Sequence, residues 1–289
     1  MEKKVIFIVN PKAGVKKKID VPRLIEDNFS KAIPYEIIIW KNKNDFNSIR
    51  ERIFTEKFTI AVAVGGDGTV NEVAKAVNHT NVVLGVIPFG SGNGLARSIG
   101  VPMNAIAAIK RIENGIVKTV DSGLINAKPF FCTSGMGFDA HIGSLFASST
   151  KRGFWTYTKI VIRELFGYKS QEYQIKQKGG TITKKAFLLT FANAGQYGND
   201  FYIAPEANMT DGLLHVVILK PFSLLMAPFL VLKIFNRKAN RSRYIETFTA
   251  TELTIQRSAP GAVHYDGEPE SMPADVQVSV VPQSLKVIS

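Results

Sequence analysis

Apolar and polar positions along the first third of the chain predict strands and helices in alternation. Short apolar runs typical of buried strands lie at 4–10, 35–40, 58–66 and 82–90. Segments with apolar residues at helical spacing separate and follow them, at 21–32, 45–56, 69–79 and in two short helices within 94–115. Asp45 is the expected N-cap of the second helix. Strands that are apolar on both faces indicate a parallel sheet covered by helices, hence an α/β domain.

The pattern changes near residue 118. From there, short strands recur at near-regular spacing, which is typical of an all-β domain. Only two segments interrupt them, a helical stretch at 139–167 and a largely apolar, basic stretch at 221–243. We therefore predict two domains, with residues 1–122 forming the α/β domain and residues 123–281 the all-β domain.

The net charge and the composition limit the classes of binding partner to be considered but do not select one of them. The net charge of +12 over 289 residues favours an anionic partner: nucleic acid, an acidic membrane surface or a phosphorylated ligand. The single cysteine, Cys132, excludes an internal disulfide, and no apolar run reaches the roughly 20 residues of a membrane span. These features predict a cytoplasmic protein.

Three glycine-bearing turns follow predicted strands. They are NPKAG (10–14), GGDG (65–68) within AVAVGGDGTVNEVAKAV, and PFGSGNGLA (88–96). Ligands of parallel α/β sheets bind beyond the carboxyl ends of the strands, where glycine lets phosphate approach backbone N–H groups and a helix N-terminus attracts anions. We therefore expect the turns to form a phosphate site, with Lys12 and Lys16–Lys18 nearby. Asp67 lies among the glycines and has three candidate roles: Mg²⁺ binding, proton transfer or capping a helix.

Other nucleotide-binding classes are disfavoured by missing motifs. The chain has no GxxxxGK followed by Ser or Thr, no GxGxxG after its first strand, and none of the HRD and DFG signatures of protein kinases.

Taken in order, these motifs resemble the diacylglycerol kinase catalytic-domain family of diacylglycerol, sphingosine, ceramide and bacterial lipid kinases. NPKAG, GGDGTVNEV and PFGSGNGLARSIG match its nucleotide turns, and GMGFDA, APEANMTDGLL and YDGEP match segments of its second domain. The resemblance implies a phosphofructokinase-like α/β domain, to which residues 282–289 return, and a β-sandwich that carries the lipid. It also implies an ATP-dependent, Mg²⁺-requiring lipid kinase, acting foremost on diacylglycerol to give phosphatidate.

Residue roles follow from the same resemblance. Glu268 matches the general base, and Asp67 acts in catalysis. Asp67 and Asp266 would hold or orient Mg²⁺. The implied nucleotide contacts are Asn10, Gly65, Gly66, Asp67, Gly68, Thr69, Val70, Asn71, Ser91, Gly92, Asn93 and Asp266.

A second, structural Mg²⁺ is implied at Asn208, Asp211 and Leu213, through a side-chain carboxylate and backbone carbonyl oxygens. A simple β-turn at Asp211 explains the same residues equally well. Thr210 and His215 replace acidic residues of some relatives, which predicts weak metal binding.

The acceptor and the partners leave alternatives open. Asp139 aligns with an acidic residue that holds the substrate amine in some sphingosine kinases, so a sphingoid base or another glycerolipid is an alternative acceptor. A non-catalytic nucleotide- or lipid-binding regulator is the alternative of another class. The expected partner is a lipid substrate at an anionic membrane surface, reached by peripheral association through 220–243 or KRGFWTY (151–157) with its Lys151 and Arg152. The first of these segments is equally explained as a helix packed on the sandwich. No RRM or KH signature supports nucleic-acid binding, and the sequence is compatible with a homodimer.

Overall fold

The computed structural model describes residues 3–11, 19–40, 46–149 and 154–289. The predicted lysines at 12 and 16–18, the predicted cap Asp45, and Lys151 with Arg152 lie outside these ranges. The chain divides into a first unit, Met1–Asp121 with Pro282–Ser289, and a second unit, Ser122–Val281. The chain therefore leaves the first unit at residue 121 and the second at residue 281, and the sequence predicts domain borders at 122 and 281.

A parallel sheet forms the centre of the first unit, in the strand order β2-β1-β3-β4. Its strands are β1 (Val5–Val9), β2 (Tyr35–Ile39), β3 (Ile60–Gly65) and β4 (Val83–Pro88). Every residue of β1 and β3 is buried, because helices cover both faces. The helices are α1 (Val21–Asn28), α2 (Phe46–Thr55), α3 (Asp67–Val77), α4 (Gly94–Ser98) and α5 (Ala105–Asn114).

Helix boundaries in this unit have local causes. The Asp20 carboxylate accepts from Arg23 N at 3.1 Å and caps α1. α1 ends at Asn28, earlier than the predicted residue 32, because Phe29 is extended and its ring packs on Phe7 with centroids 5.0 Å apart. α3 begins two residues before the predicted Thr69, since Gly66 and not a polar side chain lies at its N-cap.

The second unit contains two packed sheets. An antiparallel six-stranded sheet has the order β12-β11-β10-β7-β14-β15. Its strands are β7 (Thr133–Gly137), β10 (Leu188–Ala192), β11 (Leu214–Leu219), β12 (Ile245–Ala250), β14 (Gly261–Tyr265) and β15 (Glu268–Met272). The facing sheet contains β8 (Gln171–Gln177), β9 (Gly180–Ala186), β13 (Glu252–Arg257) and the first part of β16 (Asp275–Ile288). One core of buried side chains from both sheets joins them, so this unit is a β-sandwich.

Two strands carry the chain from one unit to the other. β5 (Val117–Ile125) ends in a hairpin with β6 (Lys128–Phe130), and β16 ends beside β4 through the pairing of Val287 with Leu84. The α/β and all-β fold classes are thereby confirmed.

Helices cover the outer face of the six-stranded sheet. They are α6 (Phe138–Ser148), α7 (Phe154–Leu165) and α8 (Ala227–Phe235), with short 3-10 turns at Leu224–Met226 and Ala239–Arg241. The single helical stretch predicted at 139–167 is wrong in this respect: α6 ends at Ser148, where Ser149 turns to extended backbone, and α7 is a separate helix. In the described part of the chain, no helix has the length and apolarity needed to cross a bilayer.

Candidate functional site

The turns after β1, β3 and β4 meet at one edge of the parallel sheet. Asn10 follows strand β1 and begins the first turn. Its Nδ2 donates to the Thr69 hydroxyl at 3.0 Å, and its backbone N–H donates to Val64 O. The N–H of Phe89 donates to Gly65 O at 2.8 Å. Gly65 is required by this packing, because a Cβ there would lie 2.5 Å from the Thr69 Oγ1. The structure therefore brings the predicted phosphate turns together, as far as residues 10 and 11 represent the first of them.

Gly66 and Gly90 hold the second and third turns in direct backbone contact. A Cβ built on Gly90 would lie 2.6 Å from Gly66 Cα, and a Cβ on Gly66 would lie 3.2 Å from Gly90 Cα. Neither position accepts a side chain without moving the opposite backbone. Their glycines thus serve the contact between turns as well as any ligand.

The Asp67 carboxylate bonds to the backbone of the neighbouring turn. Its Oδ1 accepts from Gly94 N at 2.7 Å and its Oδ2 accepts from Asn93 N at 3.0 Å. These are the first amides of α4, so Asp67 caps the following helix and not its own. Gly92 leaves room for this bond, because a Cβ there would lie 2.7 Å from Oδ2.

The N-terminus of α3 keeps its backbone donors available for an anion. Gly66 is the N-cap and has no side chain that could cap the helix. The space above Gly68 is open, with nothing within 4 Å of a built Cβ, and Ser91 is exposed on the adjoining turn. An 11-residue helix aimed at an open, glycine-lined corner is an arrangement that binds phosphate.

Three residues predicted to contact the nucleotide either bond within the protein or, in the described ranges, have a side chain without a hydrogen-bond partner. Val70 has a buried side chain, and its N–H donates to Gly66 O within the helix, so its contact with a nucleotide stays a prediction that this geometry does not support. Asn93 shapes its turn: its side chain accepts from Gly90 N and donates to Gly90 O, at a left-handed φ of 52°. Asn71 is 3% exposed, and within the described ranges its amide has no hydrogen-bond partner at either atom.

Glu268 begins β15 in the β14–β15 hairpin of the second unit and is half-buried. The hairpin turn before it contains Asp266 and Gly267, both at left-handed φ of 49° and 83°. Arg257 fixes the open end of the hairpin by donating to the carbonyls of Gly261 at 2.8 Å and Met272 at 2.8 Å. The predicted base therefore lies on a hairpin that is anchored at its open end.

Asp266 anchors the other end of the hairpin, and its expected contact with nucleotide or Mg²⁺ stays a prediction. Asp266 is half-buried, and its carboxylate accepts from three successive backbone N–H groups, Phe131 at 2.7 Å, Cys132 at 2.8 Å and Thr133 at 3.0 Å. Burial raises the pKa of Asp266 to about 6, although the three backbone hydrogen bonds act in the opposite direction. Both oxygens are engaged inside the protein, so the geometry favours a structural role over a contact with nucleotide or Mg²⁺.

Asp139 lies in a buried polar network. The sequence pointed to Asp139 itself but did not predict its partners. Oδ2 of Asp139 accepts from the Tyr197 hydroxyl at 2.8 Å and lies 3.0 Å from His264 Nε2. The Thr190 hydroxyl donates to the Tyr197 oxygen at 2.6 Å, so its 3.3 Å approach to Oδ2 is a contact without a hydrogen to share. Oδ1 accepts from Ala140 N at 2.8 Å. Burial, and next the charge of Asp139, raise the pKa of Tyr197 well above its usual value. Only GMGFDA marked Asp139; no local motif marks its three partners, which come from separate segments.

The predicted structural metal residues form a turn. Asp211 Oδ1 accepts from Leu213 N at 3.0 Å, and Asn208 Oδ1 accepts from Thr210 N at 3.2 Å and from its hydroxyl at 2.9 Å. Among the described residues, no three His, Cys, Asp or Glu side chains lie close enough together to hold a metal ion. The metal site at Asn208, Asp211 and Leu213 stays a prediction.

Comparisons with known proteins agree with this architecture. The family model described as diacylglycerol kinase catalytic domain matches residues 4–125, and the model described as YegS C-terminal NAD kinase beta sandwich-like domain matches residues 133–289. A diacylglycerol kinase of Mycobacterium tuberculosis is 30% identical over 246 residues, which cover 80% of this chain and 77% of that protein.

Two further matches differ in what they cover. An uncharacterized protein of Synechocystis sp. is 28% identical over 235 residues, 79% of this chain but 54% of that protein, so the chain spans about half the length of this relative. The crystal structure of a diacylglycerol kinase from Bacillus anthracis shares the fold with a TM-score of 0.74 at 21% identity, covering 99% of this chain and 96% of that one. With two family models that together match nearly its whole length, the chain belongs to the diacylglycerol kinase catalytic-domain family.

Proposed function

We propose that this protein is an ATP-dependent lipid kinase that phosphorylates diacylglycerol to phosphatidate. The observation that supports it most is the convergence of the glycine turns on the uncapped N-terminus of α3. Membership of a kinase family implies that the phosphates bound there are those of ATP. The backbone donors of Gly66, Gly68 and the Ser91 turn would hold them.

Mg²⁺ fits this site only as a companion of the nucleotide. Asp67 already accepts two backbone hydrogen bonds and Asp266 accepts three. Mg²⁺ keeps several waters and is commonly held by substrate phosphates with one or two carboxylates, so a protein cage is unnecessary. When bound, it would neutralise charge on the phosphates, with Asp67 as the described carboxylate of the phosphate-binding edge.

Glu268 is the proposed general base. Its carboxylate would take the proton of the acceptor hydroxyl while the hydroxyl oxygen bonds to the γ-phosphorus and the bond to the ADP oxygen breaks. Positioning and charge neutralisation dominate phosphoryl transfer, so the placement of the carboxylate matters most. Anchoring of the hairpin by Arg257 and Asp266 supplies the positioning.

The surroundings of Asp139 support a neutral acceptor over a sphingoid base. A carboxylate that already accepts from Tyr197 and Ala140, lies 3.0 Å from His264 and has the Thr190 hydroxyl oxygen 3.3 Å away has little room left for an ammonium group. The hydroxyl of a glycerolipid needs no such counter-charge. Diacylglycerol is therefore the favoured acceptor.

Labelling with radioactive ATP tests the proposal. The protein is incubated with a whole-lipid extract, with diacylglycerol or with a sphingoid base, and the labelled product is identified. We expect phosphatidate as the product. Glu268→Gln should lower kcat at least about a hundredfold with unchanged ATP binding.

Glu270→Gln is the matched control, since Glu270 lies two residues further on the same strand and its bond from the Tyr265 hydroxyl survives in the amide. Full turnover by the Glu268 variant would disprove the base assignment. ATP binding without turnover on every lipid would favour the non-catalytic regulator, and labelled sphingoid base would overturn the acceptor.

A further inference from the structure

Exposed apolar side chains concentrate on two helical segments of the second unit. In the described ranges, 16 large apolar residues are exposed, and four of them lie in 155–166 and six in 224–235. Within these two segments the most exposed are Leu225 at 83%, Trp155 at 76%, Phe166 at 73% and Phe229 at 60%. Single exposed apolar residues are ordinary, but a cluster of this size marks a contact surface.

The two segments rest on one common core. Ile160 of α7 and Leu230 and Ile234 of α8 are all buried in the same cluster on the outer face of the six-stranded sheet. A row of ring contacts connects the end of α7 with the start of the second segment: Tyr168 to Phe187 at 5.3 Å, and Phe187 to Phe222 at 5.0 Å. Each helix therefore has one buried side and one exposed apolar side. We call the exposed side chains of 155–166 and 224–235 the α7–α8 surface.

α8 explains why this surface is not an ordinary helix exterior. Its sequence, APFLVLKIF, is apolar except for Lys233 in its last turn, although only Leu230 and Ile234 are buried. A helix apolar all round is normally enclosed by protein or by lipid. Phe229, Leu232 and Phe235 are exposed instead, at the cost of contact between apolar surface and water.

The charges within and beside the two segments are almost all positive, although Lys220 is paired with Glu246 at 3.0 Å. Residues 220–243 contain no Asp or Glu and six basic residues: Lys220, Lys233, Arg237, Lys238, Arg241 and Arg243. Residues 154–169 add Lys159, Arg163 and Lys169 against the single acid Glu164, which is paired with His141 and Arg163 at 2.8 Å each. Apolar side chains bordered by cations complement an anionic bilayer, whose acyl region takes the former and whose headgroups take the latter.

We infer that the α7–α8 surface docks the protein on an anionic lipid bilayer, with Trp155, Phe166, Leu225 and Phe229 entering the interfacial region. This inference rests on the proposed lipid kinase function and deepens it by identifying how the enzyme reaches an insoluble acceptor. It joins the two contacts expected as alternatives, 220–243 and 151–157, into one surface and extends the second along α7 to Phe166.

The two tryptophans provide a direct test without any activity measurement. Trp40 is 7% exposed in the first unit, whereas Trp155 is 76% exposed on the proposed surface. Adding vesicles that contain phosphatidylglycerol to the full chain should shift tryptophan emission to the blue, and lipids brominated on their acyl chains should quench it. Trp155→Phe should abolish both changes, and Trp40→Phe should leave both. An unchanged spectrum of the wild-type protein in vesicles that bind it would overturn the placement of Trp155.

Sedimentation with vesicles measures the rest of the surface. The double variant Leu225→Ser, Phe229→Ser should lower the partition coefficient at least about tenfold, since two large apolar side chains no longer enter the bilayer. Ile116→Ser is the matched control, because Ile116 is 69% exposed and belongs to the first unit. Binding should also weaken when salt is raised from about 0.1 to 0.5 M, and on vesicles of phosphatidylcholine alone. Equal partition of the double variant and the control would overturn the proposal.

Two other outcomes are distinguishable. If a second copy of the chain covers this surface, analytical ultracentrifugation without lipid will show a dimer that the double variant dissociates, and docking on lipid is wrong.

A short-chain, micelle-dissolved diacylglycerol separates docking from catalysis. The double variant should phosphorylate it as the wild type does while losing activity on vesicles. Vesicle binding by a wild-type protein that phosphorylates no lipid would contradict the proposed function and leave the docking surface standing.

Discussion

Gly66 and Gly90 lie back to back at the ends of two neighbouring parallel strands, so close that a Cβ on Gly90 would lie 2.6 Å from Gly66 Cα. This contact explains why strand β3 ends in residues without side chains. The glycines allow two turns to pack on each other, and the pair then presents backbone donors to one place. The packing role seen here and the phosphate-binding role proposed above therefore fall on the same residues.

Replacing Gly90 with alanine should destabilise the first unit. The added methyl group meets backbone and the Asn93 Oδ1 at 2.7 Å, neither of which can yield easily, so we expect a loss of about 1–3 kcal/mol in the free energy of unfolding. Gly68→Ala is the matched control in the facing turn, because the space there is open and alanine is the better helix former. Urea denaturation of both variants without nucleotide provides the measurement. Equal stability of the two would contradict the packing role.

Asp67 should stabilise the protein in the absence of any ligand. Asp67→Ala leaves the N–H groups of Asn93 and Gly94 without their acceptor, which should cost about 1–2 kcal/mol of unfolding free energy in nucleotide-free, metal-free buffer. Glu72→Ala removes an acid of the same helix that pairs with Lys75 at 3.2 Å, and should cost less than about 0.5 kcal/mol. A variant of Asp67 with unchanged stability and weakened ATP·Mg²⁺ binding would instead assign the carboxylate to the ligand.

Local features made the first unit largely predictable. Its strands, its helices and the glycine turns all lie in short stretches where periodicity and turn chemistry coincide, and the turns follow adjacent parallel strands. Val70 shows the limit of that reasoning. A motif match does not distinguish residues that face the ligand from residues that face the core, and the side chain of Val70 is buried. The split between α6 and α7 was missed although residues 148–153, SSTKRG, contain no apolar side chain and interrupt the helical spacing.

Long-range pairings could not be predicted in the same way. Asp67 bonds to amides 26 and 27 residues away, Asp139 meets His264 across 125 residues, and Asp266 meets Phe131 across 135. Whether a carboxylate faces a ligand or a backbone amide depends on which strands become neighbours. Periodicity along the chain carries no information on that. Asp67 and Asp266 were therefore located correctly in their turns but without their partners.

The Asp139 network should contribute to stability through Tyr197. Tyr197→Phe removes the hydroxyl that bonds to Asp139 at 2.8 Å and to Thr190 at 2.6 Å, so the free energy of unfolding should fall by about 1–2 kcal/mol. Tyr168→Phe is the control, because the buried Tyr168 hydroxyl has no hydrogen-bond partner within the described residues and its loss should be neutral or stabilising.

A double-mutant cycle of Tyr197→Phe with Asp139→Asn isolates the bond between the two side chains. A coupling energy near zero would show that the Asp139 carboxylate is available for other partners. The argument for a neutral acceptor would then fail.

Asp266 predicts a pH dependence of stability with a definite sign. The pKa rises from its ordinary 3.8 to about 6 on folding, because burial penalises the charged form. A raised pKa means that the folded state binds the proton more tightly than the unfolded chain. Asp266 therefore contributes its full stability below about pH 4, and this contribution declines as the pH rises to 6.

The decline amounts to about 3 kcal/mol, since a tenfold change in proton affinity corresponds to about 1.4 kcal/mol. Asp266→Asn abolishes the titration, so the unfolding free energy of the wild type minus that of the variant should fall by this amount between about pH 4 and pH 6.5. Urea denaturation across that range measures the difference, with Asp275→Asn on the exposed start of β16 as the control. If the three backbone hydrogen bonds to the carboxylate outweighed burial, the pKa would be lowered on folding and the difference would rise with pH. The sign of the change with pH thus shows whether folding destabilises or stabilises the charged form of the Asp266 carboxylate that anchors the Glu268 hairpin.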